Sequence, residues 1–294
     1  MRRLLGITVL LFLDVQFSVA AQEYPVTGMV LTVDRSRNTF TASIQAIPGF
    51  MPAMAMPFEV RRPKDLDGVV PGAAVEFTLV VDQKSSHAER IRIARYQSVE
   101  QDPLAADRLK LLTEIAGTAP RKVLATGDTV PDFRLTNQKR RPVALSGLRG
   151  KVVAINFIYT SCALPNFCLR IANNFGVLQK RFKTQLGLDL VLLTVTFDPV
   201  HDSPEVLAQY ASQWAAEPAT WHFLTGAVSE VRRVCHLFGV DFFPDEGLMN
   251  HSLHTAIVDR QGKLVANIEG NRFTADQLGD LTAAVLDSKV RIRQ

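Results

Sequence analysis

Continuous apolar strands alternate with helix-type segments through the C-terminal half of the chain, and this alternation constrains the fold more than any other feature. Residues 151–159 and 188–197 are apolar and rich in β-branched side chains, as in buried strands. Between them, residues 168–183 place apolar side chains at helical spacing. Pro204 suits the first turn of a further helix. These segments predict an α/β domain.

The other segments of this half complete the order of elements. They are a hairpin at 132–135 and 142–145, a strand at 221–224, a helix at 229–238, paired strands at 255–258 and 264–268, and a helix beginning near Thr274. Strand, helix, strand and helix followed by a hairpin and a helix is the order of a thioredoxin-like domain. We therefore predict a thioredoxin-like domain at residues 123–290.

Two of the chain's three cysteines, Cys162 and Cys168, lie between the first predicted strand and the helix that follows it. Thiols placed together at such a junction suit either disulfide chemistry or binding of a soft metal, and the residues alone leave both open. Cys168 is predicted to lie at the helix N-terminus, where the helix dipole would stabilise its thiolate and lower its pKa. Cys235 lies with apolar residues on one predicted helix face and is expected to be a buried core thiol.

The N-terminal part is predicted to form a separate all-β domain at residues 24–97. Five short strand-type segments are divided by polar and Pro-Gly turns: 28–33, 39–47, 58–60, 74–81 and 89–94. So many short strands in so few residues predict a small OB-like β-barrel. Residues 98–122 are predicted to be a linker that includes a short helix beginning near Asp102.

Residues 1–21 have the pattern of a secretory signal peptide. A basic start at Arg2-Arg3 precedes an apolar run at 4–13, and small residues at 18–21 offer a cleavage site. The run is short for a membrane span, and an uncleaved N-terminal anchor is the alternative. The mature chain is therefore predicted to be exported to a bacterial periplasm or the outer face of the inner membrane, where disulfides persist.

Three methionines, Met51, Met54 and Met56, lie within six residues of the N-terminal part. Thioethers are neutral soft ligands that favour Cu(I) or Ag(I), although methionines also fill irregular cores. The Pro-Ala-Met-Ala-Met pattern at 52–56 resembles periplasmic CusF-type copper-binding domains. The resemblance implies that Met54 and Met56 bind copper, with Met51 replacing a capping tryptophan and Gln45 replacing a ligand histidine.

Four motifs of the C-terminal half, together with the cysteines, resemble the Sco/SenC family over residues 123–288. They are Gly150-Lys-Val-Val-Ala-Ile-Asn-Phe-Ile-Tyr-Thr160, Thr196-Phe-Asp-Pro199, Phe223-Leu-Thr-Gly226 and Asn250-His-Ser252. Sco proteins are thioredoxin-like copper-binding proteins that help to assemble the copper centre of cytochrome c oxidase. The resemblance implies that copper is held by Cys162, Cys168 and His251. Five residues separate these cysteines, whereas the family usually has three.

Neighbouring residues are weaker candidates for the same site. His254 follows His251 by three positions in a predicted strand and is expected to face the opposite side. Met249 is either an auxiliary ligand or a packing residue. The resemblance aligns Asp198 with an acidic residue near the family's metal site, and capping of the following loop is the alternative.

Three functions are compatible with these residues. The first is a copper chaperone that holds copper at Cys162, Cys168 and His251 and passes it to a partner such as a cytochrome c oxidase subunit. The second is a thiol–disulfide oxidoreductase that reduces the cysteines of a copper-site partner, with Cys162 and Cys168 as its catalytic pair and a thiol reductant to restore them. The third is a non-catalytic adaptor with a structural disulfide.

Charge distribution excludes nucleic acid as an expected partner. The net charge is +4, and basic residues are mixed with acidic residues along the chain rather than gathered in a stripe. Membrane contact is expected only through an uncleaved N-terminal segment.

Overall fold

The computed structural model describes residues 21–83, 85–94, 123–162, 164–245 and 248–288. The predicted signal peptide before Ala21 and the predicted linker helix lie outside the described residues. No helix of the described ranges combines the length and the apolar character that crossing a membrane requires.

The N-terminal part folds into an antiparallel five-stranded sheet, which confirms the predicted all-β character. Its strands are β1 (Gln22–Asp34), β2 (Thr39–Ile44), β3 (Met54–Glu59), β4 (Ala74–Val81) and β5 (Ser86–Ile93). They lie in the order β3-β2-β1-β4-β5. One isolated bridge between Val60 and Ala88 links the two edges of the sheet, and closure into an OB-like barrel stays a prediction. The inner face is packed with three mutually contacting aromatic rings, Phe40, Phe58 and Phe77.

Strand β2 ends at Ile44, three residues before the predicted end. The chain then turns back on itself, because Ile47 forms an isolated bridge with Met51 across a tight turn. Gly49 adopts a φ of +75° in this turn, a conformation that glycine tolerates without steric cost. The turn therefore presents the methionine cluster at the edge of the sheet.

The C-terminal part is a mixed sheet flanked by helices. Its elements are β6 (Arg134–Asn137), β7 (Pro142–Ala144), β8 (Val152–Ile158), α1 (Arg170–Arg181), β9 (Leu190–Thr196), α2 (Pro204–Ser212), β10 (Trp221–Thr225), α3 (Val228–Leu237), β11 (Phe242–Asp245), β12 (Leu248–His251), β13 (His254–Val258), β14 (Leu264–Glu269) and α4 (Ala275–Asp287). The sheet order is β14-β13-β8-β9-β10-β6-β7, and β8, β9 and β10 run parallel. This order confirms the predicted thioredoxin-like fold.

A two-stranded hairpin that is not among the predicted elements lies between helix α3 and strand β13. Strands β11 and β12 pair antiparallel, with Phe242 opposite His251. The sequence signal is weak because Pro244 interrupts the first strand and neither strand alternates apolar with polar residues. The hairpin matters for the site because it carries His251 at its end.

The N-terminal sheet packs directly against the C-terminal domain. Met29 and Leu31 of strand β1 belong to the same buried cluster as the C-terminal core. The Ser43 hydroxyl donates a hydrogen bond to Asp280 Oδ2 over 2.7 Å, and Gln277 Nε2 donates to the Ser43 carbonyl over 3.1 Å. Helix α4 therefore forms much of the contact between the two parts.

Replacing Gly72 with alanine is expected to destabilise this contact. Gly72 has a φ of +84°, and an added Cβ would lie 2.8 Å from the Cβ of Ala266. Gly49 is the matched control, because its φ is +75° and nothing lies within 4 Å of an added Cβ. Both variants incur left-handed strain of roughly 1–2 kcal/mol. Steric overlap should cost Gly72→Ala about 1–3 kcal/mol more in the free energy of unfolding, measured with urea. Equal losses in the two variants would contradict the observed packing.

Candidate metal centre

The two cysteines of the candidate site come together despite their long spacing. Cys162 lies in the loop after strand β8, and Cys168 lies in a π turn (Pro165–Leu169) that leads into helix α1. Within this turn, Phe167 leaves helical geometry with φ −108° and ψ −110°. The turn accommodates the intervening residues, and a side-chain hydrogen bond joins the two thiols. Cys162 is 9% exposed and Cys168 is fully buried, and neither forms a disulfide.

His251 lies beside this thiol pair. Its ring packs against three aromatic rings, those of Tyr159, Phe167 and Phe197, with the Phe197 centroid 4.6 Å away. His251 Nδ1 lies 3.0 Å from the Ser252 carbonyl oxygen, which can only accept, so Nδ1 carries a proton. The His251 side chain is also hydrogen-bonded to Cys162. A backbone carbonyl that fixes the histidine tautomer in this way is common behind metal-binding histidines.

The two thiols have opposite acid–base behaviour. The hydrogen bond from Cys168 is the main cause that lowers the pKa of Cys162 to about 4; burial opposes it, and His251 lowers it further. Burial raises the pKa of Cys168, and the neighbouring Cys162 thiolate raises it again. The prediction of a lowered pKa at Cys168 is therefore wrong. Cys168 precedes the regular helix and lies in an apolar environment, where desolvation outweighs any effect of the helix dipole.

Cys162 is hydrogen-bonded both to Cys168 and to His251 in this structure. Within the described residues, no group of three or more His, Cys, Asp or Glu side chains is arranged around a common point to hold a metal ion. A metal that enters here would replace the hydrogen bonds between Cys162, Cys168 and His251 with coordination bonds. Two soft sulfurs and one nitrogen are a donor set that suits copper.

Each weaker candidate has other contacts in the structure. His254 Nδ1 is 3.1 Å from Asn267 Oδ1, beside the Gly239 backbone, on the far side of strand β13 from the cysteines. Met249 packs against the C-terminal core, and its backbone hydrogen-bonds to Tyr159. Asp198 pairs with the exposed His201 over 2.8 Å. Cys235 is fully buried on helix α3, as predicted.

One acidic residue near the cysteine loop was missed in the sequence. Asp202 is 1% exposed and accepts a hydrogen bond from the Thr160 amide over 3.1 Å. Hydroxyl groups of Thr160 and Thr196 also donate to its carboxylate. Because Asp202 immediately precedes Ser203-Pro204, the sequence indicated only the start of a helix there. The contact with Thr160 has no local pattern, since the two residues are 42 positions apart.

The methionine cluster lies on strand β3 and the turn before it. Met54 is 46% exposed, whereas Met51 and Met56 pack against the core of the N-terminal sheet. The strand register pairs Met54 with Ile44 and Met56 with Ala42. The three methionines thus lie on or just before the strand at one edge of the sheet.

Gln45 does not face this cluster. It lines a cleft of about 250 Å³ between the N-terminal sheet and the C-terminal domain, together with Phe273 and Gln277. The residue opposite Met54 is the buried Ile44, so no imidazole stands across from the methionines on strand β2. The register stops at Ile44, so the interpretation that Gln45 replaces a ligand histidine stays a prediction.

A thioredoxin-like domain with a dithiol and an adjacent imidazole, joined to a β-domain with a methionine cluster, defines the class of this protein. The chain belongs to the SCO1/SenC family, whose model matches residues 121–286. A second model, copper binding periplasmic protein CusF, matches residues 23–93. Both family resemblances are confirmed, and so is the prediction of copper as the metal.

Several known proteins resemble parts of the chain. A SCO1 protein homolog from Bacillus subtilis is 31% identical over 33% of this chain and 49% of its own length. A putative copper-binding protein from Stutzerimonas stutzeri is 27% identical over 63% of this chain and 89% of its own. Mitochondrial SCO1 from Saccharomyces cerevisiae is 28% identical over 45% of this chain and 46% of its own. The chain thus spans about half the length of two of these three relatives.

Two solved structures are similar to the C-terminal part. A SCO1/SenC family lipoprotein from Bacillus anthracis is 25% identical, with a TM-score of 0.49, and covers 57% of this chain and 99% of its own. Yeast Sco1 with copper bound is 26% identical, with a TM-score of 0.48, and covers 56% of this chain and 92% of its own.

Proposed function

We propose that this protein is an exported copper chaperone that holds copper at Cys162, Cys168 and His251 and transfers it to a partner protein. The observation that carries the proposal is the contact of His251 with the Cys162–Cys168 pair. His251 is far from the two cysteines in the sequence and reaches Cys162 from the end of the hairpin of strands β11 and β12. The family membership supports copper as the cargo.

The acid–base properties of the site support binding of a soft cation. Cys162, with a pKa of about 4, is a thiolate at neutral pH and can bind copper without losing a proton. Cys168 keeps its proton, which must be released when its sulfur binds the metal. The Nδ1 proton of His251 faces a carbonyl, so Nε2 supplies the nitrogen ligand.

The receiving partner is proposed to be a copper enzyme under assembly, such as a subunit of cytochrome c oxidase. Transfer by ligand exchange requires that the partner's ligands reach the metal while the chaperone's ligands leave one at a time. Cys162 is the more accessible of the two thiols and is the expected point of first exchange. A periplasmic location agrees with the match to the periplasmic CusF family.

The methionine cluster is proposed to hold a second, weaker copper ion. Its thioethers are neutral and lack an imidazole partner on strand β2, so they favour Cu(I) and bind it less tightly than two thiolates would. The partial exposure of Met54 leaves the cluster open to exchange.

Copper titration of the reduced protein against a Cu(I) competitor tests both sites. The wild-type protein is expected to bind two Cu(I) ions, and Met54→Leu/Met56→Leu is expected to bind only the tighter one. Met29→Leu is the control, because Met29 is a buried methionine of strand β1 outside the cluster. One site in the wild-type protein, unchanged by the double substitution, would show that the methionines do not bind copper.

A second candidate function, thiol–disulfide exchange, is favoured by the contrast between the two thiols. The Cys162 thiolate would attack a partner disulfide, form a mixed disulfide and release the partner's other sulfur as a thiolate. Cys168 would then lose its proton and attack Cys162, which oxidises the pair and releases the reduced partner. A thiol reductant would restore the pair.

Disulfide exchange predicts that Cys168→Ala traps a mixed disulfide with a disulfide-containing substrate protein. The resolving thiol is then missing, whereas Cys235→Ala, which removes a buried thiol on helix α3, should trap nothing. Non-reducing electrophoresis and mass spectrometry detect the adduct. Its absence at neutral pH, where Cys162 is ionised, would contradict this second function.

A further inference from the structure

Asp202 is a buried acid whose hydrogen bonds converge on the cysteine loop. It is 1% exposed, and its partners in the described part of the chain are neutral: the Thr160 amide, the Thr160 hydroxyl and the Thr196 hydroxyl. A buried carboxylate without a cation is costly unless several donors satisfy it. Three donors to one carboxylate hold the Asp202 side chain in a defined position.

The contact lies where the pairing of the two central strands stops. Strands β8 and β9 run parallel up to the pair Ile158–Thr196. Beyond it, the Phe197 amide still donates to the Ile158 carbonyl over 3.0 Å, and then the chains diverge. Asp202 bridges this divergence, because it joins Thr196 at the end of strand β9 to Thr160 in the loop after strand β8.

Thr160 is two residues before Cys162, so the position of this thiol depends on where Thr160 is held. Residues 160–162 lie outside regular secondary structure, and the Cys162 amide makes a long contact of 3.4 Å with the Tyr159 carbonyl. Asp202 fixes both the backbone and the side chain of Thr160. Asp202 therefore anchors the start of the cysteine loop.

We infer that Asp202 is a positioning residue that sets the distance of Cys162 from Cys168 and His251. The effect of Asp202 on copper affinity rests on the proposed function, whereas its effect on the equilibrium of the Cys162–Cys168 disulfide does not. Without the anchor, the loop gains freedom and the effective concentration of Cys162 at its partners falls. Loss of a supporting contact behind a metal ligand typically lowers affinity about 10- to 100-fold.

The chain provides a matched control four residues away. Asp198 carries the same charge in the same turn, but its carboxylate pairs with the exposed His201. Asp198→Asn and Asp202→Asn therefore remove equal charge from one segment, and only the second disturbs the cysteine loop. A general effect of charge near the site would appear in both variants.

The test measures Cu(I) affinity by competition and the equilibrium of the Cys162–Cys168 pair with dithiothreitol, which supplies the two electrons and two protons for reduction. Asp202→Asn should lower copper affinity about tenfold and make the disulfide about tenfold easier to reduce, roughly 30 mV for a two-electron couple. Asp198→Asn should match wild type in both. Thr160→Val should reproduce the effect of Asp202→Asn, and Thr160→Ser, which keeps the hydroxyl, should restore wild-type values.

Wild-type copper affinity and disulfide equilibrium in Asp202→Asn would overturn the inference, as would equal changes in Asp198→Asn. If Asp202→Asn does not fold, the comparison of Thr160→Val with Thr160→Ser decides, and equal behaviour of those two variants would overturn it. If wild type binds no copper, the proposed function fails. The disulfide equilibrium then tests the positioning role alone.

Discussion

Copper affinity of the C-terminal site is expected to fall at least a hundredfold when Cys162 is replaced with alanine. Cys162 is the ionised thiol of the pair, so its loss removes the anionic ligand as well as one sulfur. Zinc sites with four protein ligands bind the metal with a free energy of about 10–16 kcal/mol, which is roughly 3 kcal/mol per ligand. A loss of about 3 kcal/mol lowers affinity about a hundredfold. Competition titration in the Met54→Leu/Met56→Leu background measures this site alone.

Cys235→Ala is the control for that experiment. It removes the third thiol of the chain, which is fully buried on helix α3 and whose pKa burial raises. Affinity should stay at the wild-type value. If Cys162→Ala binds copper as tightly as Cys235→Ala does, the metal is not held by the cysteine pair.

Replacing Cys168 with alanine is expected to raise the pKa of Cys162 by several units, from about 4 toward the ordinary thiol value of about 8.5. The Cys168 hydrogen bond is the largest cause of the lowered pKa, and without it burial dominates. His251→Ala removes the next cause and should raise the pKa by less. Ultraviolet absorbance of the thiolate, followed against pH in the reduced protein, measures each value.

The same shift makes protein stability depend on pH. Because the folded-state pKa of Cys162 is below that of the unfolded chain, its contribution is fully present above the unfolded value near 8.5 and is lost as the pH falls through about 4. The difference in unfolding free energy between wild type and Cys162→Ala should therefore be larger at pH 9 than at pH 4. If the Cys162 thiol of the wild-type protein ionises with a pKa near the ordinary value of about 8.5, and Cys168→Ala leaves that pKa unchanged, the hydrogen bond between the two thiols is contradicted.

Much of the fold follows from local patterns in the sequence. The apolar runs that became strands β8 and β9 are buried on both faces, and such strands have a strong signal because neither face tolerates polar residues. Helix α2 begins at Pro204 with Ser203 as its cap, as proline and serine at those positions predict. These features depend on neighbours in the chain.

Features that depend on distant contacts were not predicted. Strand β1 begins at Gln22 because its polar start pairs with Val81, a backbone contact that leaves no apolar pattern. The hairpin carrying His251 also lacks a pattern, although the histidine itself was found through its family motif. Asp202 was missed because Thr160, which donates two of its hydrogen bonds, is 42 residues away in the chain.

The pKa of Cys168 was predicted in the wrong direction for a related reason. A helix start suggested a lowered pKa at Cys168, but its fully buried position is a tertiary property. The lowered pKa of Cys162 comes from Cys168 and His251, which contact it only in the folded chain. Chemical identity of the donors is readable from sequence, whereas their protonation depends on packing.

X-ray absorption spectroscopy of the Met54→Leu/Met56→Leu protein, loaded with one equivalent of Cu(I), tests the central claim most directly. The copper held by Cys162, Cys168 and His251 should show two sulfur neighbours and one nitrogen neighbour. His251→Ala should remove the nitrogen and leave both sulfurs. A copper shell without nitrogen before the substitution, or one that His251→Ala leaves unchanged, would contradict the proposed site.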